Sequence, residues 1–321
     1  GKTDRKNLAQ IEFTFDTNTA DGPHGLLEQQ ISEIIAGVLG RSQFGVTEDF
    51  FAAGGNSLAA LSVIAKIEEN LGKTLSIGAL FANPTVKGLA AVLNEDSPDI
   101  EFAPVLPLRE VDSTDSATSK NTVPLFILPP AGGLGWCYAA YLPHIPGHPS
   151  VYALQHEAFT NPNAGYAQSL RELAEGYLAR IRETLEERQL PSQFSLMGWS
   201  VGGTAAVEVA ALAETAGYDV QQVTLLDAYP VEQWQGIPEP DEQESFRALL
   251  RMGGLPEVSA QTVLDLPQTL ERLRDAGSAM GYLPEDKLEV CLESMRASAA
   301  LMRGSNHLNF GGKVVLIGVS H

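Results

Sequence analysis

The stretch that decides the fold is QFSLMGWSVGGTAAVEVA, residues 193–210. Its first half is apolar on both faces, as in a strand buried within a sheet, and its second half has the small apolar residues of a buried helix. Ser200 lies between the two halves, at the centre of a Gly-x-Ser-x-Gly pattern. Because the flanking glycines relieve crowding, we expect a sharp strand-to-helix turn that exposes the Ser200 hydroxyl.

Apolar runs of the same kind alternate with helical segments on both sides of this stretch. The runs are PLFILPP, SVYALQ, QVTLLDA and KVVLI, and the helical segments include QSLRELAEGYLARIRETLEERQ and VGGTAAVEVAALAETAG. Such alternation predicts an α/β domain with a mostly parallel sheet covered on both faces. Between Tyr229 and Phe310 the alternation stops, and we expect an insertion of helical and Gly/Pro-containing sequence over the C-terminal ends of the strands.

Residues 25–94 show helical periodicity and no strand pattern. A first helix is predicted at about residues 25–40, a second from Ser57 until Gly72, and a third in TVKGLAAVLN. These helices predict a small all-α helical bundle. Residues 95–122 are rich in Pro, Ser, Asp and Thr and are interpreted as a linker to a second domain over residues 123–321.

Composition limits the possible functions. The 321 residues carry a formal charge of −19, which argues against nucleic acid as a partner. The sequence has no apolar run of the roughly 20 residues that a membrane span requires, so neither a membrane partner nor export is expected. Its two cysteines, Cys137 and Cys291, suggest neither a disulfide framework nor a metal site. A cytoplasmic location is expected.

A serine at such a turn needs an acid and a histidine, which follow it along the chain in the order serine, acid, histidine. Asp227 meets the first requirement, since it ends the strand VTLLD that follows the helix after Ser200. Asp219 is the weaker candidate because it precedes that strand, in a turn. The alternative for Asp227 is a helix cap or a solvated loop acid.

The histidine is harder to assign. His144, His148 and His156 precede the serine and violate the order, and His307 lies in a helical stretch where a surface or packing role is expected. The candidate is therefore His321, in the terminal GVSH. A helix and a strand should separate KVVLI from this histidine, but only three residues do. We therefore expect either that a segment is missing before His321 or that the histidine lies beyond this chain. The ending VSH favours the first alternative, because it resembles the residues around the histidine of related thioesterases.

The loop LPPAGG follows the strand PLFI and contributes to the same predicted site. Backbone N–H groups of Ala131 and Val201 are the candidates for an oxyanion hole, the pair of donors that stabilises a developing negative charge. The alternative is that the loop forms a plain tight turn.

A second serine lies in EDFFAAGGNSLAAL, residues 48–61. Gly54 and Gly55 allow a tight turn, after which Ser57 falls in the first turn of a helix. Unpaired N–H groups and the helix dipole favour an anion at that position, so an attached phosphodiester is well placed. The alternative is that Ser57 is only an N-cap.

Asp49-Phe50-Phe51 and the segment GGNSL resemble the phosphopantetheine attachment motif of nonribosomal peptide synthetase carrier domains, over about residues 26–93. The resemblance implies a covalent 4′-phosphopantetheine on Ser57, a phosphopantetheinyl transferase as partner, and a peptidyl carrier (thiolation) domain at 25–94. The opening GKTDRK resembles the closing motif of an adenylation domain, with Lys2 as its lysine. This implies an adenylation-domain remnant and linker at 1–24, and adenylation and condensation domains upstream.

PPAGG, GWSVGG and LLDAYP make residues 123–321 similar to the type I thioesterases of nonribosomal peptide synthetases, which have the α/β-hydrolase fold. The resemblance implies that a peptidyl or acyl thioester on the Ser57 arm passes to Ser200, with Asp227 and His321 as its partners. It also implies release by hydrolysis or macrocyclisation, and a helical lid above the active site at about residues 230–310. Two alternatives stay open: a carrier or docking module with an inactive hydrolase domain, and a free-standing esterase.

Overall fold

A computed structural model describes residues 25–94, 102–111, 123–230, 233, 241–259, 261–276, 278–304 and 310–318. Its first elements, over residues 25–94, are four helices: α1 (Leu26–Leu39), α2 (Ser57–Leu71), α3 (Ile77–Ala82) and α4 (Val86–Asn94). Helices α1 and α2 both end at a glycine in the left-handed conformation, Gly40 and Gly72, where a Cβ would be strained. The N-terminal region is therefore a helical bundle, as predicted.

Helix α3 corrects the expectation of three helices. Its six residues, IGALFA, are all buried, so it has no polar face and no amphipathic period. The reason is its position, because α3 packs against α2 and α4 on one side and against the sheet domain on the other. A helix covered from both sides cannot be recognised from hydrophobic periodicity.

The sheet domain contains six described strands. They are β1 (Val105–Arg109), β2 (Leu125–Leu128), β3 (Val151–Leu154), β4 (Gln193–Trp199), β5 (Asp219–Leu226) and β6 (Val314–Ile317). Their spatial order is β1-β3-β2-β4-β5-β6, and all neighbours are parallel except β1, which runs antiparallel to β3. Each of the five apolar runs in the sequence forms a strand, so the mostly parallel sheet is confirmed.

Strand β1 lies within residues 95–122, where the sequence analysis expects a linker and no strand. Its burial alternates, with Leu106 and Leu108 covered, as in an edge strand that has one face on the core. Pro107 weakens the strand pattern in the sequence, but proline is tolerated at a sheet edge because no ladder hydrogen bond is lost there. The sheet domain therefore begins before residue 123.

Helices cover the sheet and form the expected insertion. Helices α5 (Leu170–Glu187) and α6 (Val201–Thr215) pack against each other, and α6 also contacts β2, β4 and β5. Between β5 and β6 lie α7 (Glu242–Met252), α8 (Leu266–Asp275) and α9 (Glu285–Gly304), which we call the lid. Within the described ranges no helix is long and apolar enough to cross a membrane.

The last strand is covered incompletely. Val314, Leu316 and Ile317 of β6 are 45%, 64% and 54% exposed, although β6 pairs with β5 along its whole length. These apolar side chains point to both faces of the sheet, because neighbouring residues of a strand alternate. Among the described elements, β6 is thus the edge of the sheet opposite β1 and presents apolar surface.

Candidate active site

Ser200 occupies the sharp turn between β4 and α6. Its φ of 54° and ψ of −121° are unfavourable for a residue with a Cβ, and such strain persists only where the surrounding structure enforces it. The Ser200 N–H donates to Leu226 O at 2.9 Å, and the N–H groups of Gly203 and Thr204 donate to Ser200 O. The predicted strand–turn–helix around this serine is confirmed.

Three positions around Ser200 require glycine because a Cβ would collide with neighbouring atoms. A Cβ on Gly198 would lie 2.2 Å from the backbone of Gly202, and one on Gly202 would lie 2.5 Å from the carbonyl oxygens of Leu128 and Pro129. A Cβ on Gly203 would lie 2.5 Å from the side chain of Ala228. The turn therefore packs against the end of β2 and against the segment that follows β5.

Asp227 follows the C-terminal end of β5 and is adjacent to this turn. The parallel register places Trp199 opposite Leu226. Ser200 and Asp227, which follow these two residues, therefore both lie at the C-terminal ends of the strands. Asp227 also has positive φ, 44°, and its N–H donates to Ile317 O at 2.9 Å. Asp219 is the first residue of β5 rather than a turn residue. It therefore lies at the N-terminal end of the strand, away from Ser200.

Tyr229 is a partner of Asp227 that the sequence analysis does not identify. Its hydroxyl donates to Asp227 Oδ1 at 2.9 Å, and this hydrogen bond to a carboxylate raises the pKa of Tyr229. The Tyr229 carbonyl in turn accepts a hydrogen bond from the Thr204 hydroxyl on α6. The segment after β5 is thus fixed both to the acid and to the helix that follows Ser200.

Ser200, Asp227 and Ala131 line one cavity of about 760 Å³ below the lid. The lid contributes both apolar and charged side chains to its walls, among them Ala248, Met252, Met295, Arg247, Arg251, Arg303, Asp241 and Glu244. A space of this size holds a ligand of several hundred daltons. The structure therefore brings the predicted nucleophile, acid and loop residue to the wall of one open cavity.

The two predicted oxyanion donors flank the turn. Val201 is the first residue of α6 and is buried, and Ala131 lies in the loop after β2. Among the described residues, neither N–H has a hydrogen-bond acceptor. Gly133 in the same loop has a φ of 76°, and its carbonyl accepts from the N–H of His156 at 2.9 Å. This hydrogen bond fixes the loop, and the Ala131 N–H remains available to a ligand.

Tyr138 joins this loop to the serine turn and is missed by the sequence analysis. Its side chain is fully buried, its hydroxyl donates to Leu128 O at 2.8 Å, and the hydroxyl accepts from the N–H of Trp199 at 2.9 Å. Burial raises the pKa of Tyr138 well above its ordinary value, so the hydroxyl keeps its proton. No sequence motif marks this residue, which lies in the irregular 3-10 helix Trp136–His144.

No described histidine lines the Ser200 cavity. His156 lines a separate cavity of about 20 Å³ together with Val201 and Gly202, and its ring stacks on Tyr166. Burial, together with the charge of Arg180, lowers the pKa of His156 to about 4. His144 and His148 are exposed. His307 and the predicted His321 lie outside the described residues.

The second predicted site is the start of α2. Asn56 is the N-cap, since its side chain accepts from the N–H of Ala59 at 2.9 Å, so the interpretation of Ser57 as only an N-cap is wrong. Helix α2 begins at Ser57, and its first turn contains no acidic residue that would repel a phosphate. Gly55 is required here, because a Cβ would lie 2.4 Å from the buried ring of Phe50. This helix start suits a phosphodiester.

Lys2, the lysine of the predicted adenylation-domain remnant, lies outside the described residues.

A metal site has no support from the described residues, in which no group of three or more His, Cys, Asp or Glu side chains is arranged to hold an ion.

Comparisons with known proteins agree with this division of the chain. The "Thioesterase domain" family model matches residues 123–307, and the "Phosphopantetheine attachment site" model matches residues 29–93. A dimodular nonribosomal peptide synthase of Bacillus subtilis (strain 168) is 35% identical over 286 residues, 89% of this chain and 11% of that protein. Enterobactin synthase component F of Escherichia coli (strain K12) is 31% identical over 240 residues.

The chain covers 17% of the latter protein and therefore corresponds to a small part of each relative. Among solved structures, a four-domain nonribosomal peptide synthetase bound to AMP and glycine matches with a TM-score of 0.55 and 22% identity. The match covers 99% of this chain and 24% of that one, and it concerns the fold. The chain belongs to the thioesterase domain family and carries a phosphopantetheine attachment domain on the N-terminal side of its thioesterase domain.

Proposed function

We propose that this chain is the terminal carrier–thioesterase unit of a nonribosomal peptide synthetase. In this proposal the carrier domain, residues 25–94, bears 4′-phosphopantetheine on Ser57, and the thioesterase domain releases the acyl or peptidyl chain through Ser200. The observation that carries the proposal is the strained turn at Ser200 with Asp227 beside it, both facing one cavity of about 760 Å³. The similarity to a dimodular nonribosomal peptide synthase supports the substrate class.

When bound, the arm supplies a thiol that holds the acyl group as a thioester. Ser200 attacks the thioester carbonyl while a histidine takes the proton of its hydroxyl, and Asp227 orients the imidazole. The N–H groups of Val201 and Ala131 donate to the oxygen that becomes negative. The histidine would then give that proton to the departing sulfur as the carbon–sulfur bond breaks, which would leave the acyl group as an ester on Ser200.

Water then attacks the ester and gives a free acid, or a nucleophile of the bound chain attacks and gives a ring. Both outcomes use the same residues, and the cavity volume suits a chain of several residues. The Tyr229 hydroxyl already donates to Asp227 Oδ1. In the proposed triad the histidine therefore pairs with Oδ2 of the same carboxylate.

His321, which follows β6 in the sequence, is our candidate for this histidine. One feature supports it: the Asp227 N–H donates a hydrogen bond to Ile317 O at the end of β6. Asp227 is thus beside the place where the chain leaves the sheet.

One observation favours a second candidate function. Because no described histidine lines the cavity, a carrier and docking module with an inactive hydrolase domain is the alternative. A free-standing esterase is disfavoured, since it leaves the phosphopantetheine attachment domain over residues 29–93 without a role.

The carrier proposal is tested by incubating the protein with coenzyme A and a phosphopantetheinyl transferase and measuring intact mass. We expect one phosphopantetheine added to the wild type and none added to Ser57→Ala. Addition to Ser57→Ala at the wild-type level would refute the assignment of the attachment site. Ser62→Ala, in the same helix, is the matched control and should be modified normally.

A fluorophosphonate probe tests the hydrolase proposal in the same preparation. We expect covalent labelling at Ser200 that is lost in Ser200→Ala and reduced in Asp227→Asn. Ser195→Ala, at a partly buried strand position before the turn, serves as the control. Labelling that persists in Ser200→Ala would refute the assignment of the nucleophile, and complete absence of labelling in the wild type would favour the inactive domain.

A further inference from the structure

The carrier and thioesterase domains contact each other through helix α3. It packs against the 3-10 helix Trp136–His144, against β1 and against the 3-10 helix Ala279–Tyr282 beside the lid. The Phe81 ring lies 4.7 Å from Phe51 within the carrier and 5.9 Å from Trp136 across the contact. Trp136 lies 6.0 Å from Phe102. Buried aromatic rings therefore run continuously from one domain into the other.

Opposite charges lie beside these rings. Arg109 of β1 donates from Nε to Pro149 O at 2.8 Å and from Nη1 to Leu142 O at 3.1 Å, which fixes its guanidinium. Its positive charge attracts Asp49 of the carrier. Burial raises the pKa of Asp49, and two backbone N–H donors and Arg109 oppose that rise. Asp49 belongs to the loop that precedes the attachment serine, and it attracts Arg109 without forming a direct ion pair.

The contact leaves the attachment end of the carrier open. Asn56 is exposed and Leu58 is 66% exposed, although they flank Ser57 at the start of α2. The described residues that line the Ser200 cavity all belong to the thioesterase domain. In this arrangement the start of α2 is therefore accessible to another protein and is not part of the cavity wall.

Two buried donors at the contact have no acceptor among the described residues, Trp136 Nε1 and Arg109 Nη2. A buried donor without a partner opposes the buried state, because it regains a hydrogen bond to water when the surfaces separate. Interfaces that stay closed generally satisfy such groups. The aromatic contact thus attracts the carrier, while these donors favour its release.

We propose that Phe81 and Asp49 dock the carrier on a thioesterase surface made by Trp136, Phe102 and Arg109 in a loading position, which the carrier leaves to deliver its chain to Ser200. This inference rests on the proposed function and adds a position to its cycle. The occupant of the surface is the carrier domain of the same chain. Docking holds the carrier nearby while the start of α2 faces enzymes that modify or load Ser57.

Docking is measured on the full chain through the indole N–H signal of Trp136 in a ¹H–¹⁵N spectrum, assigned with Trp136→Phe. In the wild type this hydrogen should exchange slowly with solvent. Phe81→Ala removes the ring that covers Trp136, and we expect exchange faster by more than about tenfold. Asp49→Asn keeps the acceptor for the N–H groups of Phe51 and Ala52 and removes only the charge, so exchange should rise about threefold.

Salt provides a check that does not depend on the folding of the Phe81 variant. Exchange of the Trp136 indole hydrogen should accelerate with sodium chloride in the wild type, and it should be insensitive to salt in Asp49→Asn. Equal exchange rates in the wild type, Asp49→Asn and Phe81→Ala would overturn the docking surface. A dependence of the wild-type rate on protein concentration would assign the surface to the carrier of a second copy and overturn the intrachain assignment.

The loading position is tested by two rates. Phe81→Ala should be modified by the phosphopantetheinyl transferase within about twofold of the wild-type rate, whereas Leu58→Ala should be modified more slowly with normal Trp136 exchange. Release of an acyl group from Ser57 should be unchanged or faster in Phe81→Ala. Release slowed by about tenfold or more, with unchanged fluorophosphonate labelling of Ser200, would make this the delivery position and overturn the proposal.

Fluorophosphonate labelling of Ser200 distinguishes failure of the proposed function from failure of the docking proposal. Absence of labelling in the wild type would count against the proposed function, while exchange of the Trp136 indole hydrogen still reports on docking.

Discussion

The two serines of this chain lie in surroundings of different kinds. Ser57 follows the exposed cap Asn56 at the start of a helix, where the neighbouring Leu58 is also exposed. Ser200 lies in a turn whose backbone is held by the end of β5, the end of β2 and the start of α6. Under the proposed function, Ser57 is used by visiting enzymes and must be accessible, whereas the turn at Ser200 must hold one geometry while bonds change.

This difference predicts different responses to mutation. Around Ser200 several residues share close contacts, so a change at one of them disturbs the loop, the turn and the acid together. Around Ser57 the local fold needs a cap, a turn and a helix, which single residues supply independently. The four predictions below test this contrast, from the largest expected effect to the smallest.

Gly202→Ala should have the largest effect. The added Cβ would lie 2.5 Å from the carbonyl oxygens of Leu128 and Pro129, and backbone atoms cannot rotate away as a flexible side chain can. We expect the thioesterase domain to lose about 3 kcal/mol of unfolding free energy. Urea unfolding followed by circular dichroism measures the stability, and fluorophosphonate labelling of Ser200, which should be lost, reports the turn.

Gly176→Ala is the matched control for that variant. Gly176 lies inside α5, and a Cβ there meets nothing within 4 Å. The substitution should stabilise the domain by about 0.5–1 kcal/mol, because alanine favours the helix. Equal stabilities for Gly202→Ala and Gly176→Ala would show that the Ser200 turn tolerates change as the Ser57 helix start does.

Tyr138→Phe should have the next largest effect. It removes the hydroxyl that donates to Leu128 O and accepts from the Trp199 N–H, and leaves both backbone groups buried without that partner. We expect a loss of about 2 kcal/mol and labelling of Ser200 slower by about tenfold. The exposed neighbour Tyr141 provides the control, and Tyr141→Phe should leave the labelling rate unchanged. Normal labelling in Tyr138→Phe would contradict the role of this hydroxyl.

His156 predicts a dependence of stability on pH. Its folded-state pKa of about 4 lies below the ordinary value of 6.5, so between these pH values the unfolded chain binds a proton that the folded chain does not. The stability that His156 contributes is complete above about pH 6.5 and decreases as the pH falls towards 4. Because the ring is partly exposed, we expect a decrease of about 1 kcal/mol.

His156→Phe keeps the ring stacked on Tyr166 and removes the titration. The unfolding free energy of the wild type relative to this variant, measured by urea unfolding at several pH values, should fall between pH 7 and 4.5. A constant difference over that range would mean that burial of His156 does not affect its protonation.

Asn56→Ala should have the smallest effect on the thioesterase domain, which it should leave unchanged. The variant loses the acceptor for the Ala59 N–H, and the typical loss for an N-cap is about 1 kcal/mol. The loss should appear only in the thermal transition of the carrier domain, with unchanged labelling of Ser200. Asn56→Ser restores a capping side chain and should recover most of the stability. A larger loss that also slows labelling would show that the two sites are not independent.

The sequence predicts those parts of the molecule that local rules determine. The five apolar runs form strands because a run buried on both faces has a distinctive composition. The Gly-x-Ser-x-Gly pattern identifies the turn because only glycine fits at Gly198 and Gly202. Asp227 is predictable from the order of the strands alone, which determines where each parallel strand ends.

The remaining features depend on contacts between distant segments and therefore leave no local pattern. Helix α3 is not recognisable from the sequence because it is buried between two domains and has no polar face. Strand β1 is not recognisable because it contains Pro107, which a strand tolerates only at the edge of a sheet. Tyr138 acts through a hydroxyl that reaches β2 and β4 from an irregular segment. Tyr229 follows Asp227 closely, and a search for polar residues near the acid would have found it. His321 stays a prediction.

The anchoring of Phe102 sets how far the carrier domain can travel. Phe102 is buried against Trp136 and Phe159, so the tether runs only from Asn94 to Phe102. Eight residue steps span at most about 29 Å when fully extended. A group confined to so short a radius has an effective concentration on the order of millimolar. Under the proposed function, a foreign carrier at micromolar concentration would therefore be outcompeted by proximity alone.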